Sequence, residues 1–162
     1  MANSCDFPSN SKEYDLPLSD DKTLTKLELA KWIYSFAKLN LLSEGEKIAE
    51  MALEYLGSNY KWGATGPSAF DCSGFTQYIM KQNGYSISRT CDTQYYDGEY
   101  VAKEDLRPGD IVLFGNCSHA GIYIGNSYFV HAANSRLGVI VTSLDNEYYA
   151  AWFNCGRRIC SN

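Results

Sequence analysis

One cysteine and the chain's two histidines are the residues best suited to chemistry. Cys72 lies in the run Phe70-Asp71-Cys72-Ser73-Gly74-Phe75, His119 opens His119-Ala120-Gly121-Ile122-Tyr123, and His131 lies in Phe129-Val130-His131-Ala132. A thiol becomes a strong nucleophile when a neighbouring imidazole takes its proton, and the same imidazole can pass that proton to a leaving amine. A second polar group must then hold the imidazole, and His131 is available for that task. The three residues predict a thiol hydrolase, with Cys72 as nucleophile, His119 as general base and acid, and His131 as the orienting group. A zinc site built from Cys72, Cys117, His119 and His131 is the competing reading. The chain has no paired Cys-x-x-Cys to favour it, so neither a metal nor another cofactor is expected.

These residues need elements to position them. After Cys72, the apolar positions Phe75, Tyr78 and Ile79 run at helical spacing toward Gly84, and Asp71 can cap the helix they predict. Cys72 then falls in the first turn, where the partial positive charge of the helix end favours thiolate over thiol. Upstream, Ser43 and Glu46 form a capping box that opens a helix through Ile48, Met51, Ala52 and Tyr55, ending near Gly57. Thr25 and Glu28 form another, followed by Leu29, Ile33, Phe36, Ala37 and Leu41 at helical spacing. Residues 1–22 carry no sustained period and read as an extended arm. From Asp110 onward the pattern turns to strands: 110–114, 119–124, 128–132, 139–143 and 151–159. Helices first and an antiparallel sheet second make an α+β fold.

The histidines place a condition on the hairpin between them. Facing residues of an antiparallel pair have a constant index sum, and a plain two-residue loop after Gly125 makes that sum odd. His119 and His131, whose indices sum to an even number, would then lie on opposite faces. A shared face requires an odd-length loop or a bulge, and Gly125-Asn126-Ser127 supplies residues that tolerate the positive φ such turns need.

Composition narrows the partners. With 162 residues the chain suits one well-buried core, and its net charge of −5 argues against nucleic acid, which needs a basic face. No apolar run approaches the roughly 20 residues that cross a bilayer, so membrane is not an expected partner. The first residues show no basic start followed by an apolar stretch. Setting Cys72 aside leaves five cysteines, Cys5, Cys91, Cys117, Cys155 and Cys160, an odd number for pairing. Cys155 and Cys160 in a regular strand would lie about 16 Å apart, against a disulfide limit near 7 Å. The 13 tyrosines suit carbohydrate or peptide grooves as well as ordinary packing.

Six blocks in order resemble the NlpC-type cell-wall cysteine endopeptidases: Tyr60-Lys61-Trp62-Gly63, Asp71 to Phe75, Arg89 with Gln94, Leu106 to Asp110, His119 to Tyr123, and His131-Ala132. The resemblance spans roughly residues 44 to 160. It implies a papain-like core in which the cysteine helix packs on a five- to six-stranded antiparallel sheet carrying both histidines. It also implies cleavage of peptidoglycan stem peptides between D-γ-glutamate and the diamino acid. Cys72, His119 and His131 match the reacting residues, Tyr60 the tyrosine bordering the oxyanion site, and Asp71 and Ser73 positions that in relatives bind the free amine of an N-terminal L-Ala. Arg89 matches an arginine whose fork could hold a stem-peptide carboxylate. Trp62 is expected to pack in the core, and Leu106 to Asp110 to form a turn tied down by Asp110.

Three departures stand out: Ala64 where a second glycine is usual, Ser88 where proline is common, and Ala120 where valine is common. The expected division is an arm and helix over 1–43, docked so as to cover part of the cleft, and a monomeric catalytic domain over 44–162. An extracellular or wall-directed location follows from the substrate. A CHAP-type amidase or an acyltransferase of the same fold, and a catalytically silent wall-binding module, are the alternative functions.

Overall fold

Ser43 caps the first described helix as its spacing predicts: its Oγ accepts from the Glu46 N–H at 3.2 Å, and the Glu46 carboxylate accepts from the Ser43 N–H at 2.8 Å. The computed structural model describes residues 31, 35 and 41–161, and those from 41 onward belong to the unit Leu39–Asn162. The arm over 1–22, the Thr25–Glu28 box and most of the helix expected after it fall outside the described residues, and with them the expected covering of the cleft. Helix α1 (Glu44–Glu54) buries Ile48, Ala49 and Ala52, with Met51 and Tyr55 packed partly against the same core.

Two short strands, β1 (Asn59–Tyr60) and β2 (Ala69–Phe70), pair in parallel and lead into α2 (Cys72–Gln82). Asp71 is the N-cap of α2, its carboxylate accepting from the Gly74 N–H at 2.6 Å. Phe75, Ile79 and Met80 are fully buried along α2, each worth up to roughly 1.5–3 kcal/mol of transfer free energy. Phe70 lies at the centre of an edge-to-face group with Tyr55, Phe75 and Tyr78, its ring centroid 5.4 to 5.5 Å from each.

A short helix α3 (Cys91–Gln94) and a 3₁₀ turn over Lys103–Asp105 flank β3 (Glu99–Val101). Then come β4 (Ile111–Phe114), β5 (His119–Gly125), β6 (Tyr128–Asn134), β7 (Gly138–Ser143), α4 (Glu147–Trp152) and β8 (Phe153–Arg158). The six longer strands form one antiparallel sheet in the order β3-β8-β4-β5-β6-β7. The fold is α+β, as expected, with α1 and α2 packed on the sheet.

Alternation along the strands gives the sheet two faces. Ile111, Leu113, Ala120, Ile122, Val130 and Ala132 join the helices in the main core, while Val112, Phe114 and Phe129 form a second cluster with Leu144 and the aromatic side chains of α4. The β5–β6 hairpin meets the condition set by the histidines. Ile122 faces Val130 and Tyr123 faces Phe129, an even sum, and the register shifts by one before Gly125 faces Tyr128. Gly125, Asn126 and Ser127 all have positive φ, so the bulge and the two-residue turn are absorbed by residues suited to it. Both imidazoles thereby share the face that carries Phe114 and Phe129.

Elsewhere sequence and structure differ. The strand expected over 151–159 begins as α4, capped by Asn146, whose side chain accepts from the Tyr148 N–H at 3.1 Å. Aromatic residues favour strands on average, but Tyr149, Trp152 and Phe153 lie at helical spacing and pack on the second cluster. Trp62, expected in the core, is 84% exposed. Its neighbours are tied down by the backbone, Lys61 N–H to Phe70 and Gly63 N–H to Asp71, which leaves the indole outside. The turn before β4 forms as predicted, with Gly109 at φ 90° and the Asp110 carboxylate accepting from the Arg107 N–H at 2.8 Å and from Arg158 at 2.7 and 2.9 Å.

Gly74 marks the tightest approach of α2 to the preceding loop. A Cβ there would stand 2.2 Å from the Ala64 carbonyl oxygen and 2.8 Å from Asp71 Oδ1, and that carbonyl is itself held by the Asp71 N–H. Gly74→Ala should therefore destabilise the fold by about 1–3 kcal/mol, read as a fall in denaturation midpoint. An unchanged midpoint would show that the loop can yield.

Candidate active site

The cysteine of the Asp-Cys-Ser-Gly run is the first residue of α2, so its backbone N–H has no intrahelical acceptor. Cys72 is nearly buried, 8% exposed, and lies close enough to His119 for the imidazole to act on its thiol. A second thiol, Cys91 at the start of α3, lies 3.5 Å from it, Sγ to Sγ. The Cys72 pKa falls well below the ordinary thiol range, chiefly through the hydrogen bond with Cys91 and then through the hydrogen bond and charge of His119, together overcoming the opposing effect of burial. Cys91 moves the other way, pushed up by the same hydrogen bond and by burial.

His119 is the first residue of β5. Its Nε2 lies 2.7 Å from Nδ1 of His131, and Nε2 of His131 lies 2.9 Å from Oγ1 of Thr142. Burial, and then the charge on His119, pushes the His131 pKa down to about 3, so this imidazole is neutral near pH 7. One set of protons fits a base facing Cys72. His119 donates from Nε2–H to His131, His131 donates from Nε2–H to Thr142, and Nδ1 of His119 is left as the acceptor toward the thiol. Because His131 resists protonation, it remains the neutral acceptor behind His119.

The relay has an aromatic casing. Trp152 lies parallel to the His119 ring within 13°, centroids 6.2 Å apart, and Tyr149 and Phe129 lie 5.3 and 4.6 Å from His131. Thr142 and Trp152 were not among the residues singled out from sequence. The parity of β7 was the available signal for Thr142, because His131 faces Ile140 and residue 142 shares that face.

Tyr60, Asp71, Ser73 and Arg89 gather around Cys72. Tyr60 in β1 is half-buried beside Phe70, and its hydroxyl pKa is raised by burial first and then by the charges of Cys72 and Asp71, so it remains a donor. Asp71 is 6% exposed and accepts from Gly74 N–H, Ser73 Oγ–H, Gly63 N–H and both Arg89 amino groups. Burial acts to raise its pKa, but the Arg89 and backbone hydrogen bonds win and lower it. Arg89 also donates to Ser73 Oγ at 2.9 Å. The carboxylate expected to meet a substrate ammonium is thus committed to five donors, two of them on the Arg89 guanidinium. Arg89, 35% exposed along its side chain, is the more accessible partner.

Two of the three departures from the usual pattern have local explanations. Ala64 is absent from the residues with positive φ, so alanine adds no backbone strain there. Ser88 donates its N–H and its hydroxyl to the Asp97 carboxylate at 2.7 and 3.1 Å, bonds that proline could not make. Cys72, Cys91, Cys117 and Cys155 carry free thiols. Among the described residues no group of three or more His, Cys, Asp or Glu side chains is arranged to hold a metal ion.

This geometry has relatives. A family model described as the NlpC/P60 family matches residues 57–158, a span containing Tyr60, Cys72, Arg89, His119 and His131. The chain belongs to the NlpC/P60 family. This NlpC/P60 domain is 47% identical over 104 residues to a protein of Corynebacterium glutamicum named a probable endopeptidase, a match covering 64% of this chain and 50% of the relative. It resembles the crystal structure of an NlpC/P60 family protein from Bacillus cereus with a TM-score of 0.68 at 30% identity, over 71% of this chain and 40% of that one. The structure of the peptidoglycan hydrolase RipB from Mycobacterium tuberculosis gives a TM-score of 0.65 at 27% identity, over 74% of this chain and 66% of that one. The chain therefore spans about half the length of the curated relative.

The lowered thiol pKa is open to direct measurement. The thiolate is the reactive form, so alkylation of Cys72 by iodoacetamide, followed by peptide mass, should remain fast at pH 6 and fall only as pH drops through the lowered pKa. An ordinary thiol loses about tenfold in rate for each unit below a pKa near 8.5. Thr142→Val should raise the midpoint by roughly half to one pH unit, the equivalent of one ~1 kcal/mol hydrogen bond, and Thr142→Ser should restore it. A wild-type midpoint near 8.5, or a valine variant indistinguishable from wild type, would contradict the relay described here.

Proposed function

We propose that this domain is a cysteine endopeptidase that cuts peptidoglycan stem peptides at the bond from D-γ-glutamate to the diamino acid, acting outside the cell or at the wall. The observation that carries this reading is the hydrogen-bonded line from His119 through His131 to Thr142, set beside a Cys72 thiol whose pKa is lowered. Membership of the NlpC/P60 family and the endopeptidase and peptidoglycan hydrolase names of similar proteins support it.

In the proposed reaction the Cys72 sulfur attacks the scissile carbonyl carbon, and the developing oxyanion meets the Cys72 backbone N–H and the Tyr60 hydroxyl. The imidazolium of His119 gives its proton to the departing amine as the carbon–nitrogen bond breaks, leaving a thioester on Cys72. Water then attacks the thioester with His119 as base, and the thiol returns as the γ-glutamyl carboxylate leaves. His131, held by Thr142, keeps the His119 ring aimed throughout and stays neutral while His119 carries charge. Arg89, fixed against Asp71 and Ser73, offers its exposed N–H groups to a carboxylate of the stem peptide.

Mass spectrometry of muropeptides after digestion names the bond. The expected products carry a new amine on the diamino acid and a new γ-carboxyl on D-glutamate. Intact stems released from the glycan would make the domain an amidase, and unchanged muropeptides would leave a silent binding module. Cys72→Ala should reduce turnover by roughly 10³-fold or more with the denaturation midpoint near wild type, and His131→Ala by roughly 10- to 100-fold. Residual Cys72→Ala activity within tenfold of wild type would remove Cys72 as nucleophile.

A further inference from the structure

Cys91 forms and breaks no bond in the reaction just described, although its hydrogen bond is the chief cause that lowers the Cys72 pKa, and among the described residues its sulfur is in contact with that of Cys72. The two Sγ atoms are 3.5 Å apart, and a disulfide requires roughly 2.05 Å. The pair needs only a short approach. Cys91 is 7% exposed and lies in the main core beside Cys72.

The segment carrying Cys91 is fastened to α2 from two sides. The buried Gln94 side chain accepts from Thr76 Oγ1 at 2.8 Å and donates to the carbonyls of Ser73 and Ser88 at 3.0 Å each. Arg89, two residues before Cys91, is clamped to Asp71 and Ser73 on either side of Cys72. Packing alone would be served by an alanine or valine at position 91. A thiol within contact distance of a nucleophilic thiol is a chemical arrangement, because a sulfur oxidised at Cys72 would find its partner already in place.

We propose that Cys91 is a resolving cysteine, which captures Cys72 after oxidation by a peroxide as a reversible intramolecular disulfide and so protects the nucleophile from permanent loss. In the first step the Cys72 thiolate attacks hydrogen peroxide; a sulfur–oxygen bond forms, the oxygen–oxygen bond breaks, and the hydroxide released takes a proton and leaves as water. Cys72 is then a sulfenic acid, oxidised by two electrons. In the second step the Cys91 sulfur attacks the Cys72 sulfur; the sulfur–sulfur bond forms, the sulfur–oxygen bond breaks, and the departing hydroxide leaves as water with the Cys91 thiol proton. The sum is two thiols and one peroxide giving one disulfide and two waters. A dithiol supplies the two electrons that return both thiols, whereas a Cys72 carried on to the sulfinic acid is lost. The reduced enzyme is the active form and the disulfide form is inactive, because the nucleophile is blocked.

The test uses the whole chain. Wild-type protein is treated with a small excess of hydrogen peroxide, free thiols are blocked by alkylation, and the protein is digested and mapped by mass spectrometry without reduction. The expected product is a peptide pair joined between Cys72 and Cys91 with the mass loss of two hydrogens, abolished by dithiothreitol. This readout does not depend on which bond the enzyme hydrolyses. Turnover, normalised to each untreated protein, should return in wild type on adding dithiothreitol, whereas Cys91→Ala should regain less than about one tenth and show Cys72 with two or three added oxygens. Peroxide-treated wild type with Cys72 in the sulfinic or sulfonic form, or joined to a cysteine other than Cys91, would overturn the proposal. So would equal recovery in the variant.

Discussion

The carboxylate of Asp71 is the fastening on which the site depends. It caps α2 through Gly74, holds the loop before β2 through Gly63, and fixes Arg89, which in turn reaches Ser73. A nearly buried charge survives only if its acceptor positions are filled and a counter-charge is near, and both conditions are met. Cys72 is the next residue in the chain, so the interactions that satisfy the carboxylate also set where the thiol begins. Loss of one donor would leave a buried charge short of partners and would shift the start of the helix with it.

The relay behind the thiol works by contrast of environment. Burial alone would keep Cys72 protonated, and it is the neighbouring thiol and imidazole that favour the thiolate. Burial is left to act on His131, which has no carboxylate beside it among the described residues and stays neutral between His119 and Thr142. Two histidines of the same intrinsic basicity thereby sit in different environments. The rings of Phe129, Tyr149 and Trp152 provide the apolar surroundings and hold both imidazoles in orientation.

Local chemistry also accounts for positions where this domain departs from its family's usual pattern. Ser88 replaces the rigidity of a proline with two hydrogen bonds to Asp97, so the segment before Cys91 is anchored by different means. Gln94 then closes that segment against α2 with two buried bonds, to Thr76 and Ser73, and ties it to itself with a third to the Ser88 carbonyl. The outcome is a second wall of the site made from a stretch with little regular structure.

Much of this was legible in the amino-acid order because it rests on neighbours in sequence. Capping boxes, the Asp71 cap, the Pro-Gly-Asp turn and the strand alternation are interactions over three or four residues, and their residue types are specific. Parity also set a condition on the β5–β6 hairpin, an odd-length loop or a bulge, and the structure meets it with a bulge beside a two-residue turn. Trp62, α4, Thr142 and the sulfur pair were settled only by tertiary contacts. Burial of an indole depends on what stands over it, and an aromatic run becomes helix when its spacing finds an apolar surface. The partners Thr142 and Cys91 are separated from His131 and Cys72 by 11 and 19 residues. The sequence by itself determined which groups could react; distances across strands and helices decided which groups surround them, because those distances exist only after the chain has closed on itself.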